Sequence, residues 1–418
     1  MPIPPALRRL VPATALLLAA CAQGDQLAAK PSPGTPHDAD SGDGGDSASP
    51  TDSAAPNDSA SPGDSGNTGD STAPVDPCGD PSVIPRFAAP AEPALSPASA
   101  DDDQGSDNIY APDVVRVSDT LCLMYYGGQS KEGHDQIFMA TSTDCEHWVH
   151  WPHRDKPDPV VTRGSANHVN DPSVVRWGGT WFMYYTVAET GIDDRIHLAT
   201  SPDGFNWTPQ GLVLDVGAAG TWDSLKVGRP AAVLTSEGVR LYYDGQDGTT
   251  RSAGLATSAD GRSFGKHASN PLVVGAGAVD VDRVADTWVL LHEGHSGTSA
   301  LTSADGLSWC DQGQIFSLTG QSWDAYGQVT PFLYTRDGSS FDALLFGGAS
   351  DVCWCRNRVG QALPDGIAPT ADPDAGCEAC VDESDCTQAC RDGGYGVDGV
   401  CAVPGSTDPG ACCACVSG

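Results

Sequence analysis

Four near-copies of one short phrase restrict this chain more than any other feature of it. ATSTDCEHW occupies residues 140–148, ATSPDGFNW 199–207, ATSADGRSF 256–264 and LTSADGLSW 301–309. The serines Ser142, Ser201, Ser258 and Ser303 follow one another at intervals of 59, 57 and 45 residues. Periods near 50 residues belong to propeller blades or solenoid coils. An Asp-Gly pair between apolar runs predicts a tight hairpin, because glycine accepts positive φ.

Each unit repeats one inner order. An apolar run comes first (Val114–Val117, Val174–Trp177, Ala231–Leu234), then a polar turn, then an aromatic run (Leu123–Tyr126, Phe182–Tyr185, Leu241–Tyr243). The phrase follows, and a short apolar stretch closes the unit: Pro159–Val161, Leu212–Leu214, Pro271–Val274. This is four antiparallel strands per unit, the content of one blade. A fourth unit starts near Asp280 and a fifth near Gln328. The expectation is an all-β fold, a five-bladed β-propeller over residues 107–365. The fifth unit has little chain left for an outer strand, and the apolar island at 82–87 is expected to supply it and close the ring. The aromatic that ends the phrase reads as an inter-blade packing residue, with carbohydrate stacking by Trp148, Trp207 and Trp309 as the alternative.

The flanks differ in composition. Arg8 and Arg9 precede the short apolar run 10–20, and Leu18-Ala19-Ala20-Cys21 resembles a bacterial lipobox. Residues 1–20 therefore read as a lipoprotein signal peptide with lipidation at Cys21, or as an ordinary export signal; either way the chain is exported. Lipidation would place it in the cell envelope, anchored to a bacterial membrane, the outer membrane first. Residues 21–106 are mostly Asp, Ser, Gly, Pro, Ala and Thr, which outside the island at 82–87 cannot bury enough apolar area to offset ordering, so a disordered acidic stalk is expected. The tail, 366–418, holds eight of the 15 cysteines and few core-forming residues. In an oxidising compartment it reads as a small disulfide-rich module; the tail has no histidine, so disulfides are preferred to zinc. The net charge of −33 argues against a nucleic-acid partner, which would need clustered Lys and Arg.

In a propeller the first strand of each blade starts at the mouth where the second strand ends. The strand-one starts are Ala111-Pro112-Asp113, Asn170-Asp171-Pro172-Ser173, Gly228-Arg229-Pro230 and Val279-Asp280-Val281-Asp282. The strand-two ends carry Gln129, Glu189, Asp244 with Gln246, and His292-Glu293-Gly294-His295. Carboxylates facing one another across a funnel are what glycoside hydrolysis uses, one as acid and one as base or nucleophile. Each also has a plainer reading. A D-P pair can cap a turn, Arg229 can hold the channel together rather than bind an anionic sugar, and Glu293, His292 and His295 can be solvated rim residues. The His292/His295 spacing lies on a strand end and is not a helical zinc motif.

Tyr110-Ala111-Pro112-Asp113, Asn170-Asp171-Pro172-Ser173 and the ATS-x-DG-x-x-W turns resemble the five-bladed propeller glycosidases. That superfamily contains arabinanases, β-xylosidases, fructosidases and levansucrases, and the likeness is to glycoside hydrolase family 43. It implies Asp171 as base or nucleophile and Asp113 as the residue that tunes the acid. The family acid, a Glu at the start of blade three, is replaced here by Arg229, and the order of the D-P-S and A-P-D motifs is reversed. Glu293 or Glu189 would then have to supply the acid.

The expected function is an envelope-anchored glycoside hydrolase-like protein that acts on or binds polysaccharide. The alternative is a non-catalytic carbohydrate-binding or surface-interaction lipoprotein on the same scaffold. Arg229, His292, His295, Asp280 and Asp244 are the candidate substrate-binding residues. No cofactor and no metal site are expected, and the chain is expected to be a monomer touching membrane only through Cys21.

Overall fold

The computed structural model describes residues 76–98, 108–129, 133–152, 157–190, 193–294, 296–354 and 356–370. Cys21, the expected signal peptide and the part of the expected stalk up to residue 75, His295 and the Cys-rich stretch from 371 onward lie outside them. Five antiparallel sheets form the blades. Blade one contains β1 (Ile109–Ser118), β2 (Leu121–Gln129), β3 (Asp135–Ser142) and β4 (Val149–Trp151). Blade two contains β5 (His168–Trp177), β6 (Thr180–Ala188), β7 (Asp194–Ser201) and β8 (Thr208–Leu214). Blade three contains β9 (Lys226–Thr235), β10 (Gly238–Gln246) and β11 (Arg251–Ser258), with its outer strand split into β12 (Gly265–Lys266) and β13 (Val273–Val274). Blade four contains β14 (Asp280–Val284), β15 (Thr287–Gly294), β16 (Gly297–Ser303) and β17 (Cys310–Ser317). Blade five has three strands, β18 (Gly327–Tyr334), β19 (Ala343–Ala349) and β20 (Asn357–Ala362).

The chain before blade one covers the open edge of blade five. Leu95 and Val359 exchange both backbone hydrogen bonds (3.1 and 3.0 Å), Ala88 N–H donates to Leu363, and Asp365 N–H donates to Arg86. These are isolated bridges centred on 86–95 rather than a continuous strand at 82–87. Phe87 packs edge-on against Phe341 and Phe316. Just before it, Cys78 is disulfide-bonded to Cys310 of β17.

Hydrophobic burial is distributed between blades rather than gathered at one centre. One cluster joins blades one and two (Leu123, Met139, Val169, Met183), and its counterparts join each following pair. The last joins blade five back to blade one (Tyr126, Phe138, Leu345, Val359). The repeated phrase is the latch at these junctions. Its serine Oγ accepts from the backbone of the turn, as Ser201 does from Asp203 and Gly204. The aspartate Oδ1 then accepts two more N–H groups, Phe205 and Asn206 on Asp203. The tight turn aims the glycine carbonyl at the previous blade, where a buried second-strand tyrosine donates to it: Tyr125 to Gly204 (2.6 Å), Tyr184 to Gly261 (2.8 Å), Tyr242 to Gly306 (3.0 Å). The closing aromatic meets the same tyrosine edge-on, Trp207 on Tyr125, Phe264 on Tyr184 and Trp309 on Tyr242. At the ring closure Trp148 Nε1 donates to Gln361 Oε1 instead, and Gln361 Nε2 donates to Cys145 O.

Candidate active site

All five inner strands enter the funnel through one distortion. Ala111, Asp171, Arg229, Ala278 and Thr330 have φ between 46° and 52°. Four of them precede a proline (Pro112, Pro172, Pro230, Pro331). The inner strand is the edge of its sheet, so proline there removes no ladder bond. The ladder register slips at this point in blades one, two, three and five. Left-handed backbone at a non-glycine residue costs on the order of 1–3 kcal/mol. Neighbouring blades hold it in place: Ala111 N–H donates to Thr330 Oγ1, Arg229 N–H to Thr186 Oγ1 and Ala278 N–H to Asp244 Oδ2, each at 2.9 Å.

These residues, the residues that directly follow them, and Asp113, Asp280 and Phe332 line a throat cavity of about 30 Å³. That is room for a water or two and not for a sugar ring.

The mouth is organised by charge. Arg229 Nε lies 4.0 Å from Asp171 Oδ2, and its Nη1 lies 3.7 Å from Asp194 and 3.6 Å from Asp244. Asp244 also binds Arg251, whose other nitrogen binds Glu293. The chain of alternating charge therefore runs Asp171, Arg229, Asp244, Arg251, Glu293 across blades two to four. Asp171 is buried and its Oδ2 accepts no hydrogen bond. Burial raises its pKa to about 7; Arg229 pulls it down, and Asp244 and Asp194 push it up. Burial also opposes ionisation of Asp244, but Arg251 and Arg229 outweigh it and hold that carboxyl below its usual range.

Asp113 and Asp280 lie deeper in the channel, at equivalent positions. Asp113 Oδ2 accepts Val174 N–H of blade two (3.2 Å), and Asp280 Oδ2 accepts Leu333 N–H of blade five (2.6 Å). Ser173 makes the same contact with Ala232 N–H of blade three. Side chains at this position thus fasten one inner strand to the next. Burial raises Asp113 well above a normal carboxyl, with Asp280 adding to it, and raises Asp280 to about 7 and Asp282 to about 6. Among the described residues no three His, Cys, Asp or Glu side chains are gathered to hold a metal ion.

Glu189 is exposed in the connection after β6 and does not line the throat. His292 is half-buried at the end of β15, where its Nδ1 donates to the carbonyl of Glu293. The starts of the third strands also reach the mouth. Asp194 and Arg251 join the charge chain, and Asp135 accepts from Tyr110 Oη (2.8 Å), which in turn accepts from Asn170 Nδ2 (2.9 Å) beside Asp171. The repeat carries a signal for them: counting back seven residues from Ser142, Ser201 and Ser258 gives Asp135, Asp194 and Arg251.

Residues 89–226 match the glycosyl hydrolases family 32 N-terminal domain. A solved glycoside hydrolase superposes with a TM-score of 0.56 at 14% identity, over 69% of this chain and 94% of its own. The fold is a five-bladed propeller like that of these glycoside hydrolases. A family 117 glycoside hydrolase of the marine bacterium Zobellia galactanivorans gives 0.55 at 17% identity, over 70% of this chain and 94% of its own. A glycosyl hydrolase from Bacteroides ovatus gives 0.52 at 15%, over 70% and 98%. At these identities the likeness is one of fold. The family match spans blades one and two with Asp113 and Asp171, and ends before Arg229. No curated protein sequence matches the chain.

Proposed function

We propose that this propeller recognises carbohydrate at its funnel mouth, with Asp171 and Arg229 as the polar floor of the site. The reading is carried by the Asp171–Arg229 pair, a buried carboxyl and a partly buried guanidinium on equivalent positions of neighbouring blades, 4.0 Å apart. A carboxyl that titrates near neutrality accepts from sugar hydroxyls when ionised and donates to them when protonated. The guanidinium adds a rigid fork of donors. The substrate class rests on the likeness to glycoside hydrolases, an analogy of fold.

Hydrolysis is the second reading, with Asp171 as base and Glu293 as acid. It is favoured by Glu293 Oε2, which is buried without a hydrogen-bond partner. It ranks second because Arg251 binds both Glu293 and Asp244, whereas the reaction needs one protonated and one ionised carboxyl free to face the scissile bond. A panel of arabinan, xylan, fructan and mannan tests both, with binding and released reducing sugar measured together. Binding without product supports recognition alone. Product that disappears in Asp171→Asn and Glu293→Gln supports hydrolysis. No binding to any member overturns both.

The lipobox-like Leu18-Ala19-Ala20-Cys21 further supports an envelope tether at Cys21. Labelling with a clickable fatty acid should mark the chain, and Cys21→Ser should release it into the soluble fraction; labelling retained in that variant overturns the tether.

A further inference from the structure

We propose that Trp354 and Tyr326 form a sugar-stacking platform on the rim of blade five, taking the apolar face of a second ring of the saccharide whose first ring meets Asp171. The proposal rests on the funnel mouth being a carbohydrate site. The connection from β19 to β20, residues 350–356, is the longest of the five that link a second strand to a third. It opens on the mouth face, because β19 runs antiparallel to the inner strand that starts there. Tyr326, just before β18, donates its N–H to Ala349 O at the base of this connection (2.9 Å).

Several constraints fix the tryptophan in place. Its φ is +55°, a region that bulky residues rarely adopt and that is kept only where the surroundings over-determine it. Its N–H closes a turn onto Asp351 O (3.1 Å), and the preceding Cys353 is disulfide-bonded. The ring sits over Gly327, where a Cβ would come within 2.2 Å of it. It meets Tyr326 edge-to-face, centroids 5.0 Å apart. Both rings stay partly open to solvent, Tyr326 at 39% exposure. Other tryptophans of the chain, such as Trp148, Trp207 and Trp288, are spent on inter-blade packing; this one is held rigidly at the surface instead. Rigid, half-exposed aromatic faces are what the C–H face of a sugar stacks on, at little entropic cost. Blade five also borders the floor: its Gly347 packs against Tyr110, whose hydroxyl accepts from Asn170 next to Asp171.

The test is calorimetric titration of the full chain with monosaccharides and with tetrasaccharides cut from arabinan, xylan, fructan and mannan. Trp354→Ala should weaken the tetrasaccharide by about ten-fold and leave the monosaccharide unchanged. Trp354→Phe should restore most of the loss, and thermal unfolding should be unaltered. If Trp354→Ala changes neither ligand, or weakens both equally, while Asp171→Asn still weakens both and removes the pH dependence of binding, the platform is overturned and the funnel stands. If the unaltered protein binds no saccharide, the function proposed above falls, and the platform with it.

Discussion

Asp171 and Arg229 occupy the same left-handed bulge on adjacent inner strands, and their side chains meet across the blade boundary with Nε 4.0 Å from Oδ2. Arg229 also lies within 4 Å of Asp194 and Asp244, so one guanidinium stands among three buried carboxylates. Replacing Arg229 with leucine removes the cation and keeps the bulk. We expect a loss of about 3–5 kcal/mol in urea unfolding, the usual cost of an uncompensated buried charge, and a smaller loss at pH 5 than at pH 8. A loss below about 1 kcal/mol at pH 8 would mean that the arginine does not balance these acids.

Ligand binding should follow the titration of Asp171. With its pKa raised to about 7, affinity for a bound saccharide should pass through an inflection near pH 7. That inflection should vanish in Asp171→Asn. An identical pH profile in the two proteins would remove Asp171 from the site.

Asp280 and Asp282 make the fold itself pH-sensitive. Their folded pKa values, about 7 and about 6, lie above the ordinary carboxyl value of 3.8. The proton therefore stabilises the folded chain: the contribution is complete below pH 4 and is lost as pH rises through 6 to 7. Asp280→Asn, which keeps the uncharged form, should raise the unfolding free energy at pH 8 relative to the unaltered chain by about 1–3 kcal/mol. At pH 5 it should give little gain. A gain independent of pH would contradict the assignment.

The tyrosine latch predicts a uniform cost around the ring. Tyr125→Phe, Tyr184→Phe and Tyr242→Phe each leave a glycine carbonyl of the next blade without its donor. Each should destabilise by about 1 kcal/mol. Guanidinium unfolding midpoints should fall by similar amounts in the three variants. No change in any of them would make the contact incidental.

Cys78–Cys310 ties the entering chain to the outer strand of blade four, closing a loop of 232 residues. Cys78→Ser with Cys310→Ser should cost about 2–4 kcal/mol. Limited proteolysis should then cut between residues 76 and 95 first, since the bridges at 86–95 lose their anchor. A protease pattern unchanged from the disulfide-bonded chain would show that the bridges hold alone.

The sequence by itself determined the repeat. Ser201, Asp203 and Gly204 encode a turn through bonds among residues at most three apart, and that local chemistry is legible wherever the phrase recurs. Strand order within a blade and the position of Asp171 and Arg229 at the heads of inner strands follow from these four units, and the fifth blade from the strand pattern that begins near Gln328. The partners of those residues were decided only by tertiary structure. Arg251 reaches Glu293 over 42 residues of chain and Gln361 reaches Trp148 over 213, separations at which no pattern in the sequence specifies a distance. Whether a carboxylate is free, paired or used as a clasp depends on which blade edge faces it across the axis. Glu189, a candidate by its position along the chain, lies exposed, while Asp194, five residues further on at the start of β7, joins the buried network. Burial and pairing are properties of the closed ring, and they set the ionisation that any chemistry at its mouth would use.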